Sequence, residues 1–338
     1  MKKAISTLLI ALLLISAFAL TGCSNSESST DEDQLSVCVV VSSAFGDKSF
    51  NDSAKEGADK LAEDYGVKVT TIECNEENYK QHMMDAAEVS DIVVPVGWQF
   101  YEIGEVAQDY PDTKFIWVDN PVDGIEDLPN VLCILYAQNE GSFLAGYIAA
   151  KMSETGVVGA VGGEDVDTIN DFLVGYEQGA KYANPDIEIV TNYANDYEDP
   201  AKGKECALAL HDQGADVIFQ VADNTGNGVF AAAAEEGFYA IGVDQDQKIT
   251  ASEYDEQIIC SMMKEVGTSI YDTIATLIDE GTFDGARIWT ADMSSGYISI
   301  AYGDENSVQQ VSEELKAEVE QISSAIVSGE IEVETARQ

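Results

Sequence analysis

The chain has few basic residues and almost no histidine. Its 17 lysines and arginines and two histidines stand against 62 aspartates and glutamates, which gives a formal net charge of −45. Nucleic-acid binding requires a basic surface, and anionic lipid surfaces attract basic segments, so the composition argues against both kinds of partner. We interpret the acidic excess as a source of solubility, or as an adaptation to a salty or cation-rich exterior.

Motifs for catalysis and metal binding are also missing. The chain contains no GxSxG, HExxH or CxxC pattern and no spacing typical of a Ser/His/Asp triad. His82 and His211 lie in polar segments, and Asp244 and Asp246 form an Asp-x-Asp pair of a kind common in turns. We therefore expect no enzyme activity, no cofactor and no metal site.

Cysteines are few and widely spaced. Five remain after Cys23, an odd number whose spacing does not fit a zinc site. Cys38, Cys133 and Cys260 lie within apolar runs, so we predict that these three are buried free thiols.

Long apolar runs are absent after the first 22 residues, so no later segment is predicted to cross a bilayer. Residues 1–22 join two lysines to an apolar stretch, the pattern of a secretory signal. Residues 20–23 read Leu-Thr-Gly-Cys, which resembles the lipobox of bacterial lipoproteins. We expect Cys23 to be lipidated and residues 23–34 to form a flexible tether. A membrane-spanning anchor is the alternative, but the run is short and contains hydroxyl side chains.

From residue 35 onward, short apolar runs alternate with amphipathic segments. Residues 35–41 are rich in valine, as is typical of a parallel strand buried on both faces. Asn51 or Asp52 is expected to cap the helix that follows. Four more strands separated by connecting segments follow up to residue 139, and the same rhythm then restarts. The pattern predicts an α/β fold with two doubly wound parallel-sheet lobes.

The two lobes are predicted to be discontinuous along the chain. We expect residues 35–139 and about 265–283 to form the N-terminal lobe. Residues 140–264 and about 284–305 are assigned to the C-terminal lobe, and residues 306–338 to a closing helix and tail. Two such lobes make a clamshell. Ligands of open α/β sheets bind beyond the carboxyl ends of the strands, so the residues after each strand are candidate contacts.

The predicted strand ends combine aromatic rings with carboxylates and amides. Aromatic rings suit a flat ligand, and carboxylates suit hydroxyl groups. A few polar groups in an apolar cleft are typical of a small-molecule site. Gly226 and Gly228 leave open a phosphate site at a helix N-terminus, although the full glycine-rich motif is missing. The candidate contacts are Phe50, Asn51, Trp98, Asp119, Tyr197 and Asp244.

Several segments carry a resemblance that runs across nearly all of the mature chain. They are GDKSFNDSAKEG (46–57), PDTKFIWVDN (111–120), EGSFLAGYIAAKMSETGVVGAVGG (140–163), DPAKGKECA (199–207), GADVIFQVADNTGNGV (214–229) and AIGVDQDQ (240–247). In this order they resemble the basic membrane protein family. Its members are lipoprotein substrate-binding components of ABC transporters, and they include purine nucleoside receptors.

The resemblance implies a type I periplasmic-binding-protein clamshell. Such a protein is expected to be an extracytoplasmic, lipid-anchored monomer that binds a nucleoside-like ligand and delivers it to an ABC permease and its ATPase. The family's two stacking rings correspond to Phe50 and Phe219, although Phe219 also fits a strand core. The other corresponding contacts are Asn51, Asp119, Asp244 and Lys264, with Lys264 expected to pair with Asp244.

Three positions depart from the family pattern and put purine selectivity in doubt. Val41 stands where an acidic residue is usual, Trp98 is unusually large, and Asp223 replaces a small residue. Riboflavin, a sugar or another flat heterocycle is therefore an alternative ligand. A sensor, a surface adhesin and a nucleoside hydrolase are the alternative functions. Closure is expected at linkers near Asn139, Lys264 and Phe283.

Overall fold

The computed structural model describes residues 34–74 and 78–337. Residues 35–338 form one compact unit. The predicted signal sequence and Cys23 lie outside the described residues. Within the described ranges, no helix has both the length and the apolar character needed to cross a membrane.

The first sheet has six parallel strands. Its helices are α1 (Phe50–Tyr65), α2 (Tyr79–Ala87), α3 (Ile103–Asp109) and α9 (Val266–Glu280). Its strands are β1 (Ser36–Val41), β2 (Lys68–Glu73), β3 (Ile92–Val96), β4 (Lys114–Val118), β5 (Val131–Tyr136) and β11 (Arg287–Ala291). They lie in the order β11-β5-β4-β3-β1-β2. This sheet and its helices form the first lobe.

The second sheet repeats the arrangement. Its strands are β6 (Val157–Gly162), β7 (Glu188–Tyr193), β8 (Val217–Val221), β9 (Tyr239–Asp244), β10 (Ile258–Lys264) and β12 (Ile298–Ala301). Their order is β12-β10-β9-β8-β6-β7, with only β12 antiparallel to its neighbour. Its helices are α4 (Gln138–Met152), α5 (Asp167–Ala183), α6 (Pro200–His211), α7 (Asp223–Glu236), α8 (Gln247–Thr250) and α10 (Glu313–Val327). Together they form the second lobe.

The central strands are buried on both faces, which explains their continuous apolar sequences. In β1, Val37 and Val39 face one hydrophobic cluster, while Cys38 and Val40 face another. The edge strands β2 and β7 are mostly exposed or half-buried. The fold is thus α/β with two doubly wound sheets, as the alternation of the sequence predicts.

The five described cysteines are free. All are buried except Cys206, which is half-buried. Burial raises the pKa of the Cys74 thiol to about 12 and that of Cys133 to about 11. These thiols are therefore protonated at neutral pH.

Two details of the sequence interpretation are wrong. Strand β11 pairs with β5 and so belongs to the first sheet. The predicted lobe boundary near residue 284 places these residues in the C-terminal lobe. Helix α1 starts at Phe50, so Asn51 and Asp52 lie inside its first turn. The helix is capped instead by Asp47, whose carboxylate accepts hydrogen bonds from the backbone N–H groups of Ser49, Asn51 and Asp52.

Candidate functional site

One cavity lies between the carboxyl ends of the two sheets. Each sheet has the flavodoxin-like order, whose switch point between the first and third strands is the expected ligand position. Residues from both lobes line the cavity. They are Ser42, Phe50, Gly97, Trp98, Gln99, Asp119, Thr168, Ile169, Phe172, Tyr197, Val221, Ala222, Asp223, Val243, Asp244 and Lys264.

The cavity is narrow. Its volume is only about 40 Å³. A wider space of about 490 Å³ adjoins it. Trp98 and Tyr197 line both spaces and so stand between the inner cavity and the outer part of the cleft. The lobes are therefore closed around the inner cavity, and a ligand requires them to separate or these rings to move.

Lys264 forms an ion pair that connects the two lobes inside the site. It ends β10 and is 1% exposed, and its Nζ donates to Asp119 Oδ2 at 2.8 Å. Asp119 follows β4 of the first lobe and is 5% exposed. Because each charge is buried beside its partner, both are compensated across the cleft. The sequence-based pairing of Lys264 with Asp244 is wrong, since Asp119 is the partner in direct contact.

Aromatic rings surround the Lys264 ammonium group. Its Nζ lies 4.8 Å from the ring centre of Phe50, 4.9 Å from that of Tyr136 and 5.2 Å from that of Phe172. Such distances allow cation–π attraction. Phe50 comes from the first lobe and Phe172 from α5 of the second lobe, so the cavity has a phenyl ring on each lobe.

Phe219 does not line the cavity. It is fully buried in β8 and stacks on Tyr176, with ring centres 5.3 Å apart. The prediction that the Phe219 ring faces the ligand is therefore wrong. The alternative interpretation, in which Phe219 is a core residue of the strand, is correct. Phe172 of α5 lines the cavity instead.

Asp244 ends β9 and reaches the first lobe. Its carboxylate accepts a hydrogen bond from Ser49 Oγ at 2.5 Å. Burial raises its pKa to about 6, while the charge of Lys264 and the Ser49 hydroxyl oppose that rise. Asp47 lies nearby, and burial raises its pKa to about 7 against the effect of its backbone N–H donors. Asp244 in the cavity and Asp47 at the start of α1 are therefore carboxyl groups that titrate near neutral pH.

Asn51 is fully buried but does not line the cavity. Its Nδ2 donates to Ser43 Oγ at 2.9 Å and to the Ala44 carbonyl oxygen at 3.2 Å. These bonds fix the loop between β1 and α1. Its Oδ1 has no hydrogen-bond partner among the described residues.

Trp98 and Gln99 follow β3 and offer polar atoms to the cleft. Gln99 Oε1 is buried without a hydrogen-bond partner in residues 34–74 and 78–337, whereas the Trp98 indole lies beside the Tyr197 hydroxyl. Buried polar atoms are normally paired, so an unpaired acceptor beside a cavity suits a polar ligand.

The residues that depart from the family pattern lie in different places. Val41 is fully buried in β1 and does not line the cavity. Asp223 lines it, and burial, with the charges of Asp47 and Asp244, raises the pKa of Asp223 well above its usual value. The second lobe therefore contributes a carboxyl group to the site, at a position where the family pattern usually has a small residue.

All three carboxylate residues that line the cavity have left-handed backbones. The φ angle is 86° at Asp119, 46° at Asp223 and 65° at Asp244. Such angles are uncommon for residues other than glycine, although aspartate adopts them more readily than most, and they cluster at functional sites. The sequence gives no sign of this feature.

Gly226 and Gly228 do not form a phosphate cradle. Both lie within α7, where a Cβ on Gly226 would overlap the Gln220 side chain and a Cβ on Gly228 would overlap the Pro200 carbonyl. Their role is close packing. In the described part of the chain, no group of three or more His, Cys, Asp or Glu side chains is placed to hold a metal ion.

Sequence reasoning missed the residues that come from helices. Thr168, Ile169 and Phe172 belong to the first turns of α5, and they line the cavity although they do not follow a strand directly. The helical periodicity of the sequence predicts α5 itself, but it does not tell which face of α5 meets the first lobe. Arg337, which contacts Asp119, also carries no motif.

Comparison with known proteins identifies relatives over the whole described region. The family model of PnrA-like ABC transporter substrate-binding proteins matches residues 34–336. The chain is 31% identical over 328 residues to basic membrane protein A of Borreliella burgdorferi, with 96% of this chain and 94% of the relative covered. It is 32% identical over 361 residues to the CD4+ T-cell-stimulating antigen of Listeria monocytogenes, with 98% and 99% covered.

Solved structures show the same fold. The chain matches a solute-binding protein of an ABC transporter system from Aeropyrum pernix K1 with a TM-score of 0.80 and 28% identity, covering 90% of this chain and 94% of the other. A periplasmic solute-binding protein from Actinobacillus succinogenes 130z, with bound D-allose, matches with a TM-score of 0.61 at 16% identity, covering 80% and 98%. The fold is thus that of type I periplasmic binding proteins.

Proposed function

The chain belongs to the family of PnrA-like ABC transporter substrate-binding proteins, and we propose that its solute is nucleoside-like. The solute binds in the cavity between the lobes and is passed to the permease of an ABC importer. Members of this family bind substrates rather than transform them, so no chemistry on the solute is part of the proposal. Receptors of ABC importers work outside the cytoplasmic membrane.

One observation carries the ligand proposal: a phenyl ring from each lobe, three aspartates and a lysine line the same narrow cavity. The rings of Phe50 and Phe172 suit the faces of a planar base. The carboxylates of Asp119 and Asp244 suit the hydroxyl groups of a ribose. The ammonium group of Lys264, already bonded to Asp119, suits an acceptor atom of the ligand.

Trp98, Gln99 and Asp223 are proposed to set the choice of base. Trp98 offers its indole N–H beside the Tyr197 hydroxyl, and Gln99 offers an acceptor that is unpaired within the described residues. A site that hydrogen-bonds a ligand discriminates strongly against analogues that lack the matching group. Val41 contributes no carboxylate, so discrimination among purines is proposed to rest on these three side chains.

The proposal includes a lipid anchor at Cys23. It is supported by the lipobox-like residues 20–23 and by the acidic composition of the segment that follows. An anchor keeps the receptor beside its permease although its net charge of −45 repels an anionic membrane surface. A Cys23→Ser variant that stays in the membrane fraction would contradict this part.

A thermal-shift screen followed by calorimetry tests the ligand. Residues 35–338, which form one compact unit, are mixed with nucleosides, nucleobases, riboflavin and sugars. We expect a nucleoside to raise the melting temperature, because a ligand that binds only the folded state stabilises it. A rise with a sugar or riboflavin alone would replace the nucleoside by that ligand.

A Phe50→Ala variant tests the stacking role. Loss of one base–aromatic contact is expected to weaken nucleoside binding by about 1–3 kcal/mol. Tyr182→Ala, which removes a mostly exposed ring on α5, is the matched control. Equal nucleoside affinity of Phe50→Ala and the wild type would refute the assignment of Phe50.

A further inference from the structure

The segment after α10 is fixed along the second lobe. We name residues 332–337 the strap. Gln178 of α5 holds it in both directions, since its Nε2 donates to the Glu332 carbonyl at 2.9 Å and its Oε1 accepts from the Glu334 N–H at 2.8 Å. Asn139 of α4 also donates to the Glu334 carbonyl, at 3.0 Å. The strap is therefore attached to α4 and α5.

A buried carboxylate directs the end of the strap toward the ligand cavity. Asp171 of α5 is 1% exposed, and its Oδ1 accepts from Thr335 Oγ1 at 2.6 Å and from the Ala336 N–H at 3.0 Å. The Arg337 N–H in turn donates to Thr335 Oγ1 at 3.1 Å. These bonds fix the backbone from which the Arg337 side chain extends.

The Arg337 side chain then crosses to the first lobe. Its Nη2 donates to Asp119 Oδ1 at 3.1 Å, and its Nε lies 3.7 Å from Asp171 Oδ2. The side chain is only 17% exposed. Since Lys264 occupies the other oxygen of Asp119, each oxygen of this cavity carboxylate is held by a cation from the second lobe.

We propose that Arg337 is a positioning residue for solute binding and that it favours the closed arrangement of the lobes. It fixes the orientation of Asp119 without lining the cavity itself. It also separates two buried carboxylates, Asp119 and Asp171, that repel each other across the lobes. When the lobes open, Asp119 leaves with the first lobe while the strap stays on the second, so the contact exists only in the closed state.

The proposal does not depend on which solute binds, because the contact is made by residues of the chain alone. Small-angle X-ray scattering of the unliganded protein therefore tests it directly. We expect Arg337→Met to give a larger radius of gyration than the wild type, because the closed state loses an ion pair that the open state lacks. Arg287→Met is the matched control, since Arg287 is a half-exposed arginine paired with Asp284 on the surface.

Two further variants separate positioning from simple space filling. Arg337→Lys keeps the cation and is expected to restore most of the wild-type scattering, which a purely packing role would not require. Thr335→Val keeps every charge but removes the hydroxyl that links Asp171 Oδ1 to the Arg337 N–H, and it is expected to enlarge the radius of gyration as Arg337→Met does. This second variant also tests the proposal if Arg337→Met fails to fold.

Adenosine binding supplies an independent readout. If the wild type binds adenosine, we expect Arg337→Met to bind it about tenfold more weakly, mainly through faster dissociation. Combined with Asp119→Asn, the two changes should be far from additive, because they remove one contact. Failure of the wild type to bind any nucleoside would refute the proposed ligand and leave the scattering test intact. Folded Arg337→Met and Thr335→Val proteins that scatter as the wild type does would overturn the role of Arg337.

Discussion

At the scale of single residues, the cavity holds more buried carboxylates than cations. Asp119 is compensated by Lys264 and Arg337, but Asp244 receives a hydroxyl donor, and Asp47, which caps α1 outside the cavity, receives only N–H donors. Burial therefore raises the pKa of Asp244 to about 6 and that of Asp47 to about 7. Such groups remain partly protonated at pH values where an exposed aspartate is fully ionised.

A consequence is that stability should fall as pH rises through the range of these groups. The folded state keeps the Asp244 proton between about pH 4 and pH 6, while the unfolded chain has lost it, so the free energy of unfolding decreases with pH there. Above about pH 6 the Asp244 contribution is constant. At about 1.4 kcal/mol per pKa unit, it amounts to at most about 3 kcal/mol.

Urea denaturation from pH 4 to pH 8 measures this effect. Asp244→Asn should show a shallower decline than the wild type, because its side chain does not ionise. Asp212→Asn, which removes one exposed charge at the end of α6, is the control and should follow the wild type. A constant difference between Asp244→Asn and the wild type over the whole range would contradict the raised pKa.

How well single residues could be predicted depends on what fixes their orientation. Asp119, Asp244 and Lys264 come at strand ends, where topology alone brings them to the cavity. Phe219 lies within β8, and the face on which a strand residue falls is decided by packing, here against Tyr176. To predict Phe172 as a cavity residue, one must know which face of α5 meets the first lobe. The hydrophobic periodicity of a single helix does not provide this information.

At the scale of elements, α4 and α5 pack unusually closely through glycine. A Cβ on Gly146 would overlap the Tyr176 carbonyl, and one on Gly179 would overlap the Phe143 carbonyl. The two backbones are therefore in direct contact. This contact positions the first turns of α5, which carry Thr168 and Phe172 to the cavity wall.

Replacement of Gly179 by alanine should therefore destabilise the second lobe. The added methyl group has no free space beside the Phe143 carbonyl, and overpacking of this kind costs about 1–3 kcal/mol or more. Thermal or urea unfolding measures the loss. Nucleoside affinity is expected to fall as well, since α5 must shift away from α4.

Gly104→Ala in α3 is the matched control. Its Cβ would lie 3.4 Å from the nearest atom, a methyl carbon of Val122, which is ordinary contact. Alanine also favours the helix by about 1 kcal/mol relative to glycine. Equal effects of the two substitutions would show that helix propensity, not the contact between α4 and α5, governs Gly179.

The strand and helix pattern was largely predictable because both sheets are parallel and buried. The strand of residues 35–41 and the four strands that follow up to residue 139 are present as β1 to β5. The closing helix predicted within residues 306–338 starts at Glu313, where Ser312 caps it through the Leu315 N–H. Membership of β11 in the first sheet was not predictable, because its short sequence fits either sheet.

At the scale of the whole molecule, the position of β11 changes where the lobes are joined. The chain passes between the sheets after β5, after β10 and between β11 and β12. The first two crossings lie beside Asn139 and Lys264, as the sequence suggested for hinges. The third lies in residues 292–297 rather than near Phe283, because β11 belongs to the first sheet.

The charge of the whole molecule leads to a prediction about salt. The chain carries 62 acidic and 17 basic residues, so most carboxylates have no basic partner and repel one another. Compact folding brings these charges closer than they are in the unfolded chain. Salt screens such repulsion over about 10 Å at 0.1 M, so the melting temperature should rise as NaCl increases from 10 to 300 mM.

Calorimetry in NaCl and in KCl at equal ionic strength separates screening from ion binding. Screening depends on ionic strength alone, so the two salts should raise the melting temperature equally, by several degrees. Surface ion pairs such as Lys55–Asp59 weaken in salt, but exposed pairs contribute less than about 1 kcal/mol each and do not reverse the trend. A melting temperature that falls with salt would mean that the ion pairs, rather than the 45 uncompensated negative charges, dominate the electrostatics of folding.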